Sequence, residues 1–246
     1  MLVALLADIH ANREALAACL TDARRCGAER LIFLGDIVGY GADPGWCVDT
    51  VAGKVALGAI CVRGNHDDAI ATPDPAMNAA ALAAIEWTRR QLDEPQRRFL
   101  AQLPYTATEG EALFVHANGW KPEDWGYVRS EVEAERSMRA TPHRLTFCGH
   151  THVPVLYHMA SQKPAVSFLS QSGKGVPLFA PRRWLAVVGS VGQPRDGNPA
   201  ACYGLFNTSP PSFTLQRVPY DAETTARKIR GAGLPGSLAD RLARGR

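Results

Sequence analysis

Short apolar runs alternate with helical patterns through the first half of the chain. Residues 2–7 form a continuous apolar run, which is typical of a strand buried on both faces. Residues 12–26 predict a helix, because apolar residues recur at helical spacing between a capping Asn12 and a terminating Gly27. Further strands are predicted at residues 31–34, 59–62, 112–115 and 145–148, and further helices at residues 43–52, 73–92 and 94–103.

The pattern changes after residue 153 to short, partly alternating apolar runs that Pro and Gly interrupt. This pattern predicts a β-rich region with short connections. Its strands are predicted at residues 153–157, 165–169, 184–188, 203–206 and 213–218. Asp221 then predicts the start of a helix that ends at Gly231, and Arg241, Arg244 and Arg246 are expected in a solvated tail. Since no linker separates the two halves, we expect one domain over residues 1–246.

Composition excludes several classes of protein. With 46% hydrophobic and 21% charged residues among 246, the chain is globular rather than disordered. A formal net charge of +3 is close to neutral, so the chain lacks the excess of positive charge that favours nonspecific binding to nucleic acids or to a membrane surface. The six cysteines form no C-x-x-C pair, so we expect reduced thiols rather than a structural zinc site. Asp8 and His10 interrupt the N-terminal apolar run, which predicts no signal peptide and a cytoplasmic location.

Side chains that commonly ligate metals follow five of the predicted strands directly. Strand ends of an α/β sheet converge on one crevice, so these side chains are expected to meet. Five of the seven histidines lie in these positions, whereas His143 and His158 do not. The residues concerned are Asp8 and His10, then Asp36, then Asn65, His66 and Asp67, then His116, and finally His150 and His152.

Taken singly, each of these residues has an ordinary alternative as a helix cap, a turn residue or an isolated histidine. Taken together, buried carboxylates beside several imidazoles need a compensating charge, which a divalent cation supplies. Carboxylate, imidazole and amide ligands fit Mn²⁺, Fe or Zn²⁺. Seven candidate ligands are too many for one tetrahedral ion but suit two ions with a shared carboxylate, an arrangement that favours displacement at phosphorus.

Glycines precede three of these motifs, at Gly35, Gly64 and Gly149. They are either three unrelated turns or positions where a Cβ would obstruct the approach of backbone to the metals. Because the coincidence occurs three times, we favour the second interpretation.

The motifs, in this order, resemble those of the calcineurin-like metallophosphoesterase superfamily, and in particular its bacterial small phosphoesterases related to diadenosine tetraphosphatase and Ser/Thr phosphatases. D-x-H stands at residues 8–10, G-D at 35–36, G-N-H-D at 64–67, a lone histidine at 116 and G-H-x-H at 149–152. The segments GDIVGYGADP and VGSVGQPRDGNP strengthen the resemblance. It implies an α/β fold, a four-layer αββα sandwich of two mixed β-sheets flanked by helices.

The resemblance also implies a role for each residue. A water shared by two cations would attack phosphorus, and His66 would stabilise or protonate the leaving oxygen. Asp67 would either orient His66 or serve as a helix N-terminal carboxylate. Manganese is the expected metal, with Fe, Zn or Ni as alternatives. The first ion would be held by Asp8, His10, Asp36 and His152, and the second by Asp36, Asn65, His116 and His150.

Two arginines are candidates for phosphate binding. Arg63 matches the arginine of an R-G-N-H motif that contacts phosphate in Ser/Thr phosphatases, with a surface arginine as the alternative. Those phosphatases usually have a second phosphate-binding arginine, which is missing here at residues 38–41. Arg195 either replaces that arginine or is an ordinary turn residue. The segment 117–120 also departs from the G-S-P of many relatives, so different loop contacts with substrate are expected.

The sequence therefore predicts a dinuclear phosphoesterase that acts on a small phosphorylated molecule or a phosphoprotein, as a monoester or a diester. A non-catalytic interaction scaffold on the same fold is disfavoured, because the ligands and His66 are all present. A nuclease is disfavoured by the near-neutral charge, and no membrane partner is expected. Residues 68–103 are expected either to form a helical cap over the site or to be an ordinary outer layer.

Overall fold

Two mixed β-sheets pack face to face in the computed structural model, which describes residues 1–72, 74, 76–168 and 170–246. This is the predicted sandwich with helices outside. The first sheet contains β1 (Leu2–Leu6), β2 (Arg30–Phe33), β3 (Ile60–Cys61), β9 (Gly175–Pro177), β11 (Ala201–Thr208) and β12 (Pro211–Val218). The second contains β4 (Thr106–Glu109), β5 (Ala112–Val115), β6 (Leu145–Cys148), β7 (Val155–Met159), β8 (Val166–Phe168) and β10 (Arg183–Val187).

The strand order places parallel strands at the centre of each sheet. The first sheet runs β3-β2-β1-β11-β12-β9, and β1 pairs in parallel with β2 and antiparallel with β11. The second runs β4-β5-β6-β10-β7-β8, and β6 lies parallel to both β5 and β10. The carboxyl ends of β1, β2, β5 and β6 consequently lie at one end of the sandwich.

Aromatic and branched side chains from both sheets fill the space between them. Leu5 of β1 and Phe114 and Phe147 of the second sheet are all buried there, and the Phe147 ring lies 4.9 Å from that of Phe206. The opposite face of the first sheet is covered by helices, so Leu6 is buried as completely as Leu5. Burial on both faces explains why β1 appears in the sequence as an unbroken apolar run.

The helices are α1 (Arg13–Arg25), α2 (Pro44–Ala56), α3 (Asn65–Asp68), α4 (Ala79–Gln91), α5 (Glu94–Gln102), α6 (Glu131–Arg139), α7 (Ala222–Gly231) and α8 (Gly236–Arg244), with a 3₁₀ turn at Pro122–Asp124. Five of the described helices, α1, α4, α5, α6 and α7, begin at a polar side chain that accepts a backbone hydrogen bond. Asn12 accepts a hydrogen bond from the backbone N–H of Ala15 at 3.1 Å, as the sequence predicted.

Several boundaries differ from the prediction. The helix predicted from residue 73 begins at Ala79, because Asn78 caps it, while Pro73 and Pro75 lie outside the described residues. The α6 helix and the short strands β4 and β9 were not predicted. Arg241 and Arg244 lie on the α8 helix rather than in a tail, because Leu238 and Leu242 of this helix are buried. Arg244 and Arg246 are exposed, as expected.

None of the described helices is both long enough and apolar enough to cross a bilayer. The six cysteines are all free, and five of them are buried. Burial raises the pKa of the Cys148 thiol well above its ordinary value, which keeps this thiol protonated and inert.

Candidate metal centre

Four strand ends and the start of α3 bring the predicted ligands together. The loop after β1 is hydrogen-bonded to the loop after β2, with the backbone N–H of His10 donating to the carbonyl of Asp36 at 2.9 Å. In the second sheet, the backbone N–H of Gly149 donates to the carbonyl of His116 at 2.9 Å. Asp8, His10, Asp36 and His116 are each no more than 1% exposed. The site is therefore built from backbone that is fixed before any ligand arrives.

Five of the predicted ligands adopt backbone conformations that L-residues avoid. A positive φ is uncommon outside glycine, and such strain tends to cluster at functional sites. Here the surrounding hydrogen bonds hold the strained residues in place. They are Asp8 (φ 55), His10 (φ 49), Asp36 (φ 54), His150 (φ 68) and His152 (φ 61).

Two of the glycines before ligands make room for a carboxylate, as the sequence suggested. A Cβ on Gly64 would lie 2.2 Å from Oδ1 of Asp36. A Cβ on Gly149 would lie 2.6 Å from Oδ2 of Asp8. Both distances are far inside van der Waals contact, so a side chain at either position would displace the carboxylate.

The ligand atoms fall into two groups that share one carboxylate. Asp8, His10, Asp36 and His152 form the first group, and within it one ligand atom of each residue lies within 4.8 Å of the others. Asp36, His116 and His150 form the second group by the same criterion. Oδ1 of Asn65 lies 3.2 Å from Nε2 of His116 and so joins the second group. The division is the one that the family resemblance implied.

Backbone carbonyls fix the orientation of all four imidazoles. Nδ1 of His10 bonds to the carbonyl of Val38 at 3.1 Å, and Nδ1 of His116 bonds to that of Leu34 at 2.7 Å. Because a carbonyl only accepts, each bonded ring nitrogen must be the donor. The other nitrogen of a neutral ring then carries a lone pair that points into the site. The remaining two bonds run from Nδ1 of His152 to Gln193 at 2.6 Å and from Nε2 of His150 to Trp125 at 2.9 Å.

These lone-pair nitrogens face one another in two pairs. Nε2 of His10 lies 3.1 Å from Nε2 of His152, and Nε2 of His116 lies 3.1 Å from Nδ1 of His150. Two acceptors at this distance need a proton or a cation between them. Burial lowers the pKa of His10 and His152 well below the ordinary value, so a proton is unfavourable in the first pair. The donor set and its geometry therefore fit a divalent cation.

In the second pair, the two imidazoles differ in their pKa. Burial opposes a charge on His116, but the carboxylates of Asp36 and Asp8 raise its pKa to about 9. Burial lowers the pKa of His150 to about 3, so His150 is the acceptor of the pair. A cation that binds here must displace the proton of His116.

The two carboxylates of the site differ in their response to burial. Burial raises the pKa of Asp8 to about 7, against the opposing effect of His116. Burial also acts on Asp36, but the charge and the hydrogen bond of the His116 imidazole outweigh it and hold the pKa of Asp36 well below its usual range. Asp36 is therefore ionised, as a shared ligand should be.

His66 lies beside the ligands without joining either group. Its ring centroid lies 4.5 Å from that of Tyr40 and 4.8 Å from that of His10. Its backbone N–H donates to Oδ1 of Asp36 at 2.8 Å, which fixes its place in the crevice. Burial lowers the pKa of His66, so the ring is neutral near pH 7 and keeps one N–H to donate.

Asp67 holds the loops of the site together. Its Oδ1 accepts from the backbone N–H of Ile37 at 2.8 Å, and its Oδ2 accepts from that of Gly64 at 3.0 Å. No hydrogen bond joins it to the ring of His66 among the described residues. Of the two roles expected for Asp67, the structure shows the helix N-terminal carboxylate.

The two candidate arginines lie in different surroundings. Arg195 lines the crevice, with its guanidinium 5.7 Å from the ring of Tyr40. Arg63 does not contact the crevice, because Nη1 donates to Oδ1 of Asp68 at 2.8 Å and Nε donates to the carbonyl of Leu103 at 3.1 Å. The structure thus shows Arg63 bound to Asp68 and Leu103, and its contact with phosphate stays a prediction. Its side chain connects the end of β3 to the end of α5.

The crevice above the ligands has a volume of about 360 Å³. Sequence reasoning missed its aromatic wall of Tyr40, Trp125 and Tyr127. Tyr127 stacks on His150 with ring centroids 4.1 Å apart and an interplanar angle of 13°. The departure from the family pattern at residues 117–120, shortly before Trp125 and Tyr127, was the available signal that the loop contacts of the site would differ.

Comparisons with known proteins agree with the fold and show the family. The calcineurin-like phosphoesterase superfamily domain matches residues 1–210. An uncharacterized protein of Methanocaldococcus jannaschii is 34% identical over 251 residues, which cover 100% of this chain and 98% of the relative. A metallophosphoesterase from Sphaerobacter thermophilus is 35% identical with a TM-score of 0.88, covering 100% of this chain and 99% of that one.

A hypothetical protein from Pyrococcus horikoshii OT3 shares the fold at 21% identity, with a TM-score of 0.81 and coverage of 100% of this chain and 98% of the other. The match to the superfamily extends from the first strand, through every ligand motif, to the turn that follows β11. The chain therefore belongs to the calcineurin-like phosphoesterase superfamily and is a metal-dependent hydrolase of phosphoric esters.

Proposed function

We propose that the chain hydrolyses a small phosphomonoester or phosphodiester with two divalent cations, of which Mn²⁺ is the expected metal and Fe, Zn or Ni the alternatives. The first cation is assigned to Asp8, His10, Asp36 and His152, and the second to Asp36, Asn65, His116 and His150. The observation that carries the proposal is the pair of facing imidazole nitrogens in each group, with the buried Asp36 common to both.

When bound, such a pair of cations lowers the pKa of a shared water and neutralises charge on the phosphoryl oxygens. The protein's own contribution is to fix the ligands. Four carbonyls set the tautomers, and Asp36 is held by the backbone N–H of His66 at 2.8 Å. Little reorganisation of the ligands is then needed as charge develops in the transition state.

His66 is the proposed partner of the leaving group. It lines the crevice, and as a neutral ring it donates an N–H to the oxygen that departs from phosphorus. Arg195 is the proposed contact for non-bridging phosphoryl oxygens, since its guanidinium borders the crevice and can donate two parallel hydrogen bonds.

The size of the crevice supports a small phosphorylated substrate over a phosphoprotein. A volume of about 360 Å³ falls in the range of small-molecule sites. The lining combines the ligands and Arg195 with Tyr40, Met77 and Trp125, which would contact the organic part of the ester.

A joint measurement of metal content and turnover tests this function. Purified protein loaded with Mn²⁺, Fe²⁺, Ni²⁺ or Zn²⁺ is expected to hold two ions per chain and to hydrolyse a generic aryl monoester or diester. Asp36→Asn is expected to lose both ions and turnover together. His66→Gln is expected to keep two ions while turnover falls by about 10²–10⁴.

Two results would contradict the proposal. One is Asp36→Asn turning over at the rate of the unsubstituted protein, which would mean that the site is elsewhere. The other is a protein that holds two ions and hydrolyses no ester of a broad panel, a result that would favour an interaction scaffold.

A further inference from the structure

His150 is held differently from the other three imidazoles. The carbonyls that fix His10, His116 and His152 come from segments hydrogen-bonded to the ends of the first sheet. For example, Gly192, beside the carbonyl of Gln193, donates its N–H to Asp8 at 2.8 Å. The carbonyl that fixes His150 belongs to Trp125, in the irregular stretch 118–129, which we call the His150 loop.

The His150 loop contacts the imidazole at an edge and on one face. The carbonyl of Trp125 accepts from Nε2 at 2.9 Å, which leaves the lone pair on Nδ1, the atom that faces His116. Tyr127 covers the ring at 4.1 Å, almost parallel to it. Arg129 closes the far side of Tyr127, with its guanidinium 3.7 Å from the tyrosine ring. The loop thus fixes both the tautomer and the tilt of His150.

The His150 loop is itself tied down from within by Asn118. This side chain is fully buried, donates from Nδ2 to the carbonyl of Gly126 at 2.9 Å, and accepts at Oδ1 from the backbone N–H of Lys121 at 2.9 Å. Gly126 packs so closely on Trp120 that a Cβ would lie 2.8 Å from that ring. Trp125 is held at a positive φ of 56°, which places its carbonyl on His150.

We infer that Asn118 and Tyr127 are positioning residues for the second cation alone. Their contacts lead to the imidazole of His150, which belongs only to the second group, whereas the imidazoles of the first group are oriented by Val38 and Gln193. The link from His150 to the first group is made by its backbone N–H, which donates to Asp8 and is not held by these side chains. Loosening the His150 loop should therefore empty the second position and leave the first loaded. This inference rests on the proposed dinuclear function.

Titration of the metal-free full chain with Mn²⁺ tests the inference. Electron paramagnetic resonance separates a spin-coupled manganese pair from an isolated ion, and metal analysis gives the number bound. For Tyr127→Leu we expect the affinity for the second ion to fall by about 10–100-fold, the range seen when supporting contacts of metal ligands are removed. The spectrum should then be that of an isolated ion, with the affinity for the first ion unchanged.

Matched variants separate positioning from a general loss of structure. Tyr127→Phe keeps the ring on His150 and should restore the coupled pair. Asn118→Ala should weaken the second ion as Tyr127→Leu does, by a different contact. Glu123→Ala removes an exposed side chain of the same loop and serves as the control, with both ions retained. Thermal unfolding in chelator checks that each variant is folded.

The outcomes distinguish this inference from the proposed function. If Tyr127→Leu and Asn118→Ala bind both ions as tightly as the unsubstituted chain, the inference is overturned and the dinuclear proposal stands. Loss of both ions together from folded variants would also overturn it, because the loop would then serve the whole site. An unsubstituted chain that binds a single ion would overturn the dinuclear proposal itself.

Discussion

At the scale of single residues, the site keeps its charges in balance by exchanging a proton for a cation. Without metal, the ionised Asp36 is opposed by the proton on His116, whose pKa is about 9. Three other imidazoles stay neutral because burial lowers their pKa values. The second group is thus occupied by a proton at neutral pH, and a cation must compete with it.

Metal affinity is accordingly expected to depend on pH. As pH rises from 7 towards 9, His116 loses its proton more readily, so the affinity for the second ion should rise by about tenfold per pH unit and then level off. Below pH 7, protonation of Asp8, whose pKa is about 7, should weaken the binding of the first ion. Calorimetric titration in buffers of different ionisation enthalpy measures the protons released. An affinity that stays constant between pH 7 and 9 would contradict this balance.

The two arginines should separate substrate binding from stability. Arg195→Met removes a charge at the crevice, and loss of a charge-assisted hydrogen bond of about 1.5–3 kcal/mol should lower kcat/KM by roughly 10–150-fold. Arg63→Met should leave KM unchanged and lower the melting temperature, since Arg63 bonds to Asp68 and Leu103. Steady-state kinetics and thermal unfolding of both variants check the assignment. A raised KM in Arg63→Met alone would restore the role expected from its motif.

At the scale of secondary structure, the strands that carry the ligands were predictable because their apolar runs stop abruptly. β1, β5 and β6 are buried along nearly their whole length, and each ends where a polar ligand begins. The α6 helix was missed because its buried face consists of Ala134, Ser137 and Met138, which gives a weak apolar pattern. Its capping box of Ser130 and Glu133 was the available signal.

The ligand side chains of the candidate site could be predicted from the sequence, but the backbone groups that orient them could not. The order of the motifs yields both ligand groups, but the Trp125 carbonyl has no counterpart in the sequence, since every residue carries one. The direction of Arg63 was equally unpredictable, because a residue at a strand end can turn towards either neighbour. Asp68 is a near neighbour in sequence, but the carbonyls of Ala101 and Leu103 that also bind Arg63 lie about forty residues along the chain, beyond the reach of local patterns.

Only part of the segment 68–103 borders the crevice. Met77 and Ala81 line it, whereas Leu100 of α5 is buried in the core cluster behind the first sheet. We therefore expect Met77→Ala to raise kcat/KM for bulky esters several-fold relative to small ones. Arg98→Ala, on the exposed face of α5, is the control. A size series of aryl esters measures the ratio, and an unchanged ratio in Met77→Ala would identify the segment as an outer layer.

At the scale of the whole molecule, the ligands connect the two sheets at one end of the sandwich. Asp8, His10 and Asp36 follow strands of the first sheet, while His116 and His150 follow strands of the second. A cation bound between them adds a connection across the interface that the unfolded chain lacks. Folding and metal binding should therefore be linked.

Metal is accordingly expected to stabilise the folded chain. A cation present at one hundred times its Kd adds about 2.7 kcal/mol per site, which for a chain of 246 residues corresponds to roughly 5–11 °C in melting temperature. Calorimetry measures the melting temperature of the protein in chelator and in excess Mn²⁺. Asp36→Asn should unfold at the same temperature in both conditions, because the carboxylate common to the two groups is gone. If the melting temperature of the unsubstituted chain is also the same with and without Mn²⁺, no cation connects the two sheets. The assignment of the ligands would then be wrong.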